Sequence, residues 1–184
     1  MPRNKKCRSC GNWFQPFSSL HRACSLECSL DVARKDAEKR ERKKTRQMRE
    51  SIKTLSQLCQ EAQKEVNRYV RLRDAGKGCI SCGSPNASDA GHFFHAGSKY
   101  RTSPLRLDPR NLSAQCPKCN RYSGGGNAVE YMHGYIKRYG QGAFDELVAY
   151  KEAVDRGEVP NLTKDEAREI KRKYRKLANE LARR

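Results

Sequence analysis

Downstream of residue 50 the chain is organised as apolar stripes separated by turns. Ile52, Leu55, Leu58, Cys59, Ala62, Val66, Tyr69 and Val70 recur at helical spacing, which predicts an amphipathic helix over 51–76 with Gly76 as its stop. Residues 77–127 lose that period and are dense in turn formers. Beyond them, AVEYMHGYIKRYG and GAFDELVAYKEAVDRG each read as a helix, the second ended by Gly157. Thr163 and Glu166 then form a capping box ahead of a stripe through Ile170, Tyr174, Leu177, Ala178 and Leu181, so 128–184 is a set of C-terminal helices. Upstream the pattern is the reverse. DVARKDAEKRERKKTRQMRE is almost free of apolar residues, interleaves acids with bases and is rich in helix formers. It predicts a charged helical arm over 31–50, either a solvated spacer or a basic arm lying along a nucleic-acid backbone.

Composition explains why the stripes are so few. Only 36% of the 184 residues are hydrophobic and mean hydropathy is −0.99, which excludes one large core. Small cores need an added constraint, and the nine cysteines can supply it. Eight of them form the pairs Cys7/Cys10, Cys24/Cys28, Cys79/Cys82 and Cys116/Cys119, and two successive pairs make one tetrahedral site. Two structural zinc ions are therefore expected. The first set defines an N-terminal zinc finger over 1–30, with Trp13, Phe14 and Phe17 as a miniature core over the metal. His21, inside that finger, reads as a surface side chain or a phosphate contact. Cys59 lies on a helical stripe and reads as a small buried hydrophobe.

Lys and Arg number 39 against 21 Asp and Glu, a formal charge of +18. Such an excess points to a polyanion, because phosphate contacts release counterions. No apolar run is long enough to span a bilayer, and MPRNKKCRSC does not resemble a secretory signal. A cytoplasmic protein with reduced thiols and no membrane partner is the expectation, in keeping with metal rather than disulfides.

The second cysteine set carries the candidate chemistry. Its two pairs are separated by an insert that holds Asp89, His92, His95, Asp108 and Asn111, together with Arg101, Arg106 and Arg110. Asn120 follows Cys119 directly, and a structural zinc needs no carboxamide there. A zinc tying both ends of the insert would bring Asn120 towards the DAGH segment. The arginines are either phosphate contacts or solvated loop charges. SGGGN lacks the spacing and lysine of a phosphate-binding loop, and His133, within a helical pattern, reads as a packing or surface residue.

CxxC, DAGH, RNL and CxxCN, in that order, resemble the HNH or ββα-metal nuclease motif in zinc-stapled form, as in Holliday-junction endonucleases of the endonuclease VII type. An N-terminal finger, a charged arm, CISCG, DAGH, RNL, CPKCN and a following GQGAFDE extend the resemblance along nearly the whole chain to the lambdoid-phage NinG family, also called Rap. It implies a small, mostly helical α+β protein: zinc finger, long charged helical arm, zinc-stapled HNH module over 77–127, and C-terminal helices. It also implies His92 as general base, Asn111 as its orienting residue, and Asp89 and Asn120 as ligands of a catalytic divalent metal, Mg²⁺ or Mn²⁺. His95 and Asp108 are alternative ligands, and Arg101, Arg106, Arg110 and Arg121 are the DNA contacts.

The implied activity is structure-specific cleavage of branched recombination intermediates, Holliday junctions and D-loops, by a homodimer in the cytoplasm of a bacterial host. Cutting linear duplex or RNA is a further reading. A zinc-dependent nucleic-acid-binding adapter without catalysis is the alternative from another class. Two departures stand out. Gly91 occupies the place where most HNH motifs carry a ligand. On a regular strand Asp89 and His92 also face opposite ways, which calls for a bulge, a turn or a different ligand.

Overall fold

The computed structural model describes residues 3–94, 101–122 and 126–183. They form two compact units, one ending at Lys53 and one beginning at Thr54. Among the described residues the chain is mostly helical, with two small antiparallel strand pairs and two cysteine clusters. Among the described residues no helix is long and apolar enough to cross a membrane.

In the first unit β1 (Lys5–Lys6) pairs with β2 (Trp13–Phe14). Helix α1 (Leu26–Ser51) starts inside the cysteine set, where the Ser25 hydroxyl accepts the Cys28 N–H and satisfies one of the orphan donors of the first turn. It continues without a break through the charged arm and buries none of its residues. The expected aromatic core does not form, since Trp13 is 66% and Phe17 93% exposed. Phe17 instead stacks on His21, Phe14 meets the same ring edge-on, and His21 Nδ1 accepts the Phe17 N–H at 3.2 Å. The histidine pins the loop, and the small buried set is Cys7, Pro16 and Ala23.

The second unit opens on α2 (Leu55–Arg73), which begins four residues after the start and ends three residues before the end of the expected 51–76. Thr54 caps this helix in a reciprocal box with Gln57, which leaves Ile52 outside it and 72% exposed. Leu58, Cys59, Ala62, Val66 and Val70 pack against α5 (Lys164–Leu181) through Ala167, Ile170 and Tyr174. Glu61 pairs with Lys171 at 2.6 Å and Glu65 with Arg175 at 2.7 Å along the seam. The two long apolar stripes thus cover each other within the chain.

Against this helix pair lies the hairpin of β3 (Asp89–His92) and β4 (Leu112–Gln115), in the register Asp89↔Gln115 to His92↔Leu112. Leu112 and Ala90 join Val66, Val70 and Tyr174 on one side. Helices α3 (Ala128–Tyr139) and α4 (Gln141–Asp155) close a second core of Ile80, Leu105, Tyr131, Tyr135 and Leu147. Tyr131 donates its hydroxyl to the Gly91 carbonyl at 3.1 Å. At Gly134 of α3 a Cβ would collide with the Ile80 carbonyl, so only glycine lets that helix come so close to the loop.

A buried ion pair ties helix to hairpin. The Asp74 carboxylate is wholly enclosed and accepts the Ala114 N–H at 3.0 Å and two bonds from Arg73 at 2.9 and 2.7 Å. Arg73 also donates to the carbonyls of Pro109 and Leu112, both at 2.8 Å. Burial alone would raise the Asp74 pKa, but the Arg73 guanidinium and the Ala114 N–H outweigh it and hold the carboxyl below its usual range. Asp74→Ala should cost about 2–3 kcal/mol in a denaturant titration, since it leaves the buried Ala114 N–H without its acceptor and the partly buried Arg73 without its counter-ion. Because the native pKa is depressed, this contribution is complete above the ordinary carboxylate range and lost as pH falls through the native value. Acid unfolding of Asp74→Asn should accordingly be less steep than that of the wild type.

Candidate functional site

In each cysteine set the four Sγ atoms lie within 4.8 Å of one another. Cys10–Cys24 is 3.5 Å, Cys24–Cys28 3.7 Å, and Cys82–Cys116, 34 residues apart, 3.7 Å. Thiolates around one zinc at ~2.3 Å stand about 3.8 Å apart. The two sets could therefore hold two zinc ions. In the second set, Gly78 adopts a positive φ against the Gly83 carbonyl, where a side chain would clash, and this tightens the turn that presents Cys79 and Cys82. The Cys119 backbone N–H points at Cys116 Sγ from 3.4 Å and lowers that thiol to about 7, favouring the thiolate a metal requires. Cys59, fully buried on α2, belongs to neither set.

The turn that ends this set, Lys118–Tyr122, winds as a π-helix and carries Asn120 towards β3. Asn120 Nδ2 donates to Asp89 Oδ2 at 2.9 Å, across 31 residues of chain. Arg121 grips the same carboxylate at 2.8 and 2.7 Å. Partial burial would raise the Asp89 pKa, but Arg121 and Asn120 lower it, so the group is an anion at neutral pH. An anionic carboxylate beside an amide oxygen is a donor set suited to a hard divalent cation.

β3 is paired at all four positions and has no bulge. Alternation therefore sends Asp89 and Gly91 to one face and Ala90 and His92 to the other. The His92 ring lies with Nε2 3.0 Å from the Arg106 carbonyl. Asn111 is fully buried: it accepts the Phe94 N–H at 2.8 Å and donates to the carbonyls of Phe94 at 3.1 Å and Leu105 at 3.2 Å. It fastens the backbone just beyond His92. Asp108 is held by Arg110, which also lies over the Tyr150 ring at 5.1 Å. Arg106 turns to Gln63, whereas Arg101 is exposed. His95 lies outside the described residues.

Two further features have no precedent in the sequence reading. The first is a cavity of about 560 Å³ beside the second cysteine set, bordered by Lys77, His133, Lys137 and Arg138. The second is Gln115, fully buried on β4, with its side-chain oxygen unpartnered among the described residues. The only signal for it in the sequence is a polar residue at the last strand position before Cys116.

A family model described as Bacteriophage Lambda NinG protein matches residues 1–184. Protein ninG of Escherichia phage 933W is 32% identical over 200 residues, covering 98% of this chain and 94% of the relative. Protein ninG of Escherichia phage lambda is 32% identical over 168 residues, covering 79% and 80%. That of Salmonella phage P22 is 32% identical over 165 residues, covering 79% and 78%. No solved structure matches the chain.

Native mass spectrometry should find two zinc ions per chain. Cys10→Ser and Cys82→Ser should each weaken or remove one of them, and Cys59→Ser should leave both in place.

Proposed function

The chain belongs to the NinG family of phage proteins, and on that premise we propose that it is a metal-dependent endonuclease for branched DNA. The observation that carries this reading is the meeting of Asp89 and Asn120 beside the second cysteine set, an anion and an amide brought from distant parts of the chain to 2.9 Å. A zinc in that set would fix the backbone that aims Asn120. Asp89 and Asn120 would hold Mg²⁺ or Mn²⁺, and the chemistry such an ion would bring is positive charge for the phosphate oxygens and for the departing 3′ oxygen.

The remaining roles fall to the chain itself. The carbonyl of Arg106 can only accept, so the neutral His92 ring carries its proton on Nε2 and its lone pair on Nδ1. His92 stands on the face of β3 opposite Asp89 and Asn120, so its part as general base calls for a rearrangement of the strand when metal and DNA bind. In that state the ring would take the proton of the attacking water as the new P–O bond forms and the bond to the 3′ oxygen breaks, the 3′ oxygen taking a proton from solvent. The products are a 5′-phosphate and a 3′-hydroxyl. Asn111 holds the segment after His92 and so keeps the ring in place. Arg101, the charged α1 and Lys137 supply phosphate contacts, in keeping with a net charge of +18. Arg106, Arg110 and Arg121 are engaged with protein groups and serve first to shape the site. Cutting both arms of a junction calls for two copies of the chain.

The test uses zinc-loaded protein and a synthetic four-way junction, with and without Mg²⁺. Nicking should require Mg²⁺ and fall at least about 100-fold in His92→Ala and Asn120→Ala, with binding retained. Binding by every form with nicking by none would instead identify an adapter. Linear duplex and RNA at the same salt concentration should be cut more slowly than the junction.

A further inference from the structure

Gly91 is bare on the face of β3 that Asp89 shares, and the space above it is filled from the neighbouring strand. A Cβ on Gly91 would collide with Gln115 Oε1 and would stand 3.2 Å from Asn120 Oδ1. Both carboxamides are fixed in orientation by their nitrogen ends. Gln115 Nε2 donates to the Gly126 carbonyl at 2.6 Å and to Ser81 Oγ at 2.9 Å. Asn120 Nδ2 donates to Asp89. Two amide oxygens are thereby turned to the same spot beside an anionic carboxylate. Gln115 is fully buried, and its oxygen has no hydrogen-bond partner among the described residues. A buried acceptor without a donor is costly, and a position faced by several such oxygens favours a cation.

We infer that Gln115 supplies, across the hairpin, a third oxygen ligand, so that the divalent cation is held by Asp89, Asn120 and Gln115 over the bare α-carbon of Gly91. The inference rests on the metal site proposed above and adds to it a residue and a reason for the glycine. A side chain at position 91 would evict the Gln115 oxygen, so Gly91 and Gln115 form one unit. Gln115 lies opposite Asp89 in the register and shares its face.

The experiment is Mn²⁺ binding to the zinc-loaded chain without DNA, read by loss of the free-ion electron paramagnetic resonance signal. The wild type should bind one Mn²⁺. Gln115→Met, which keeps the volume and removes the oxygen, should bind at least tenfold more weakly, as should Gly91→Ala, which leaves Gln115 in the sequence. Both should retain two zinc ions. In the wild type, Mg²⁺ should shift the side-chain amide signals of Asn120 and Gln115 along one saturation curve, a readout that decides the matter even if a variant does not fold. Wild-type affinity in both variants, or a Gln115 signal that Mg²⁺ leaves in place, with binding lost in Asn120→Ala, overturns the role of Gln115 and spares the metal site. Absence of Mn²⁺ binding by the wild type itself overturns both.

Discussion

Four thiols from two turns, 34 residues apart between Cys82 and Cys116, have to meet at one point, and the second unit is arranged around that requirement. A tetrahedral centre fixes four directions at once and turns a long separation in sequence into a short one in space. The apolar packing at this point is slight, with Ala87 alone among the described residues set against the buried cysteines. Hydrophobic burial therefore cannot hold the insert's ends together as a metal could. The Arg73–Asp74 pair does the corresponding work from the helix side. It reaches Pro109, Leu112 and Ala114 and seats β4 on α2. Asp89 meets Asn120 because both ends of the hairpin are constrained.

The hairpin separates two environments by strand alternation. Ala90 and Leu112 face the apolar seam of α2 and α5, while Asp89, Gly91, Ser113 and Gln115 face the polar side. Tyr131 reaches across from α3 to bond the Gly91 carbonyl, which braces the strand where its residue has no side chain. On the polar side Gln115 and Asn120 are each held by the nitrogen end of the amide, while the two oxygens of Asp89 accept from Arg121 and Asn120. Packing on one face of the short strand, where His92 lies opposite Leu112, thus leaves the other face to polar groups.

Much of this was legible in the sequence, for identifiable reasons. Cysteine pairing states its own geometry, and the helices after residue 127 announce themselves by period and by the Thr163–Glu166 box. The start of α2 was misplaced because Ile52 fits the stripe, although Thr54 and Gln57 spell an equally readable cap. The finger aromatics misled because a core needs enough neighbours to enclose it, and a short zinc loop does not provide them. Arginine sign could be read but not arginine partnership. The commitment of Arg110 to Asp108 depends on a local turn, and that of Arg121 to Asp89 on a contact 32 residues away. Gln115 could not be found at all without the register that sets it against Asp89.

Helix α1 is anchored at one end only within its own unit. It leaves the first cysteine set at Cys28, where Ser9 bonds Asp31 and Asp31 pairs with Arg34 and Lys35, and it then runs on with no buried residue. Its 26 residues make a rod of about 39 Å. With no residue buried along it, its persistence comes from intrinsic propensity and from ion pairs one turn apart, both of them sensitive to temperature and salt. Stiffness in this rod is a property of the surrounding electrolyte as much as of the polypeptide. A polyanion laid against it would act on the rod's rigidity as well as on its charge.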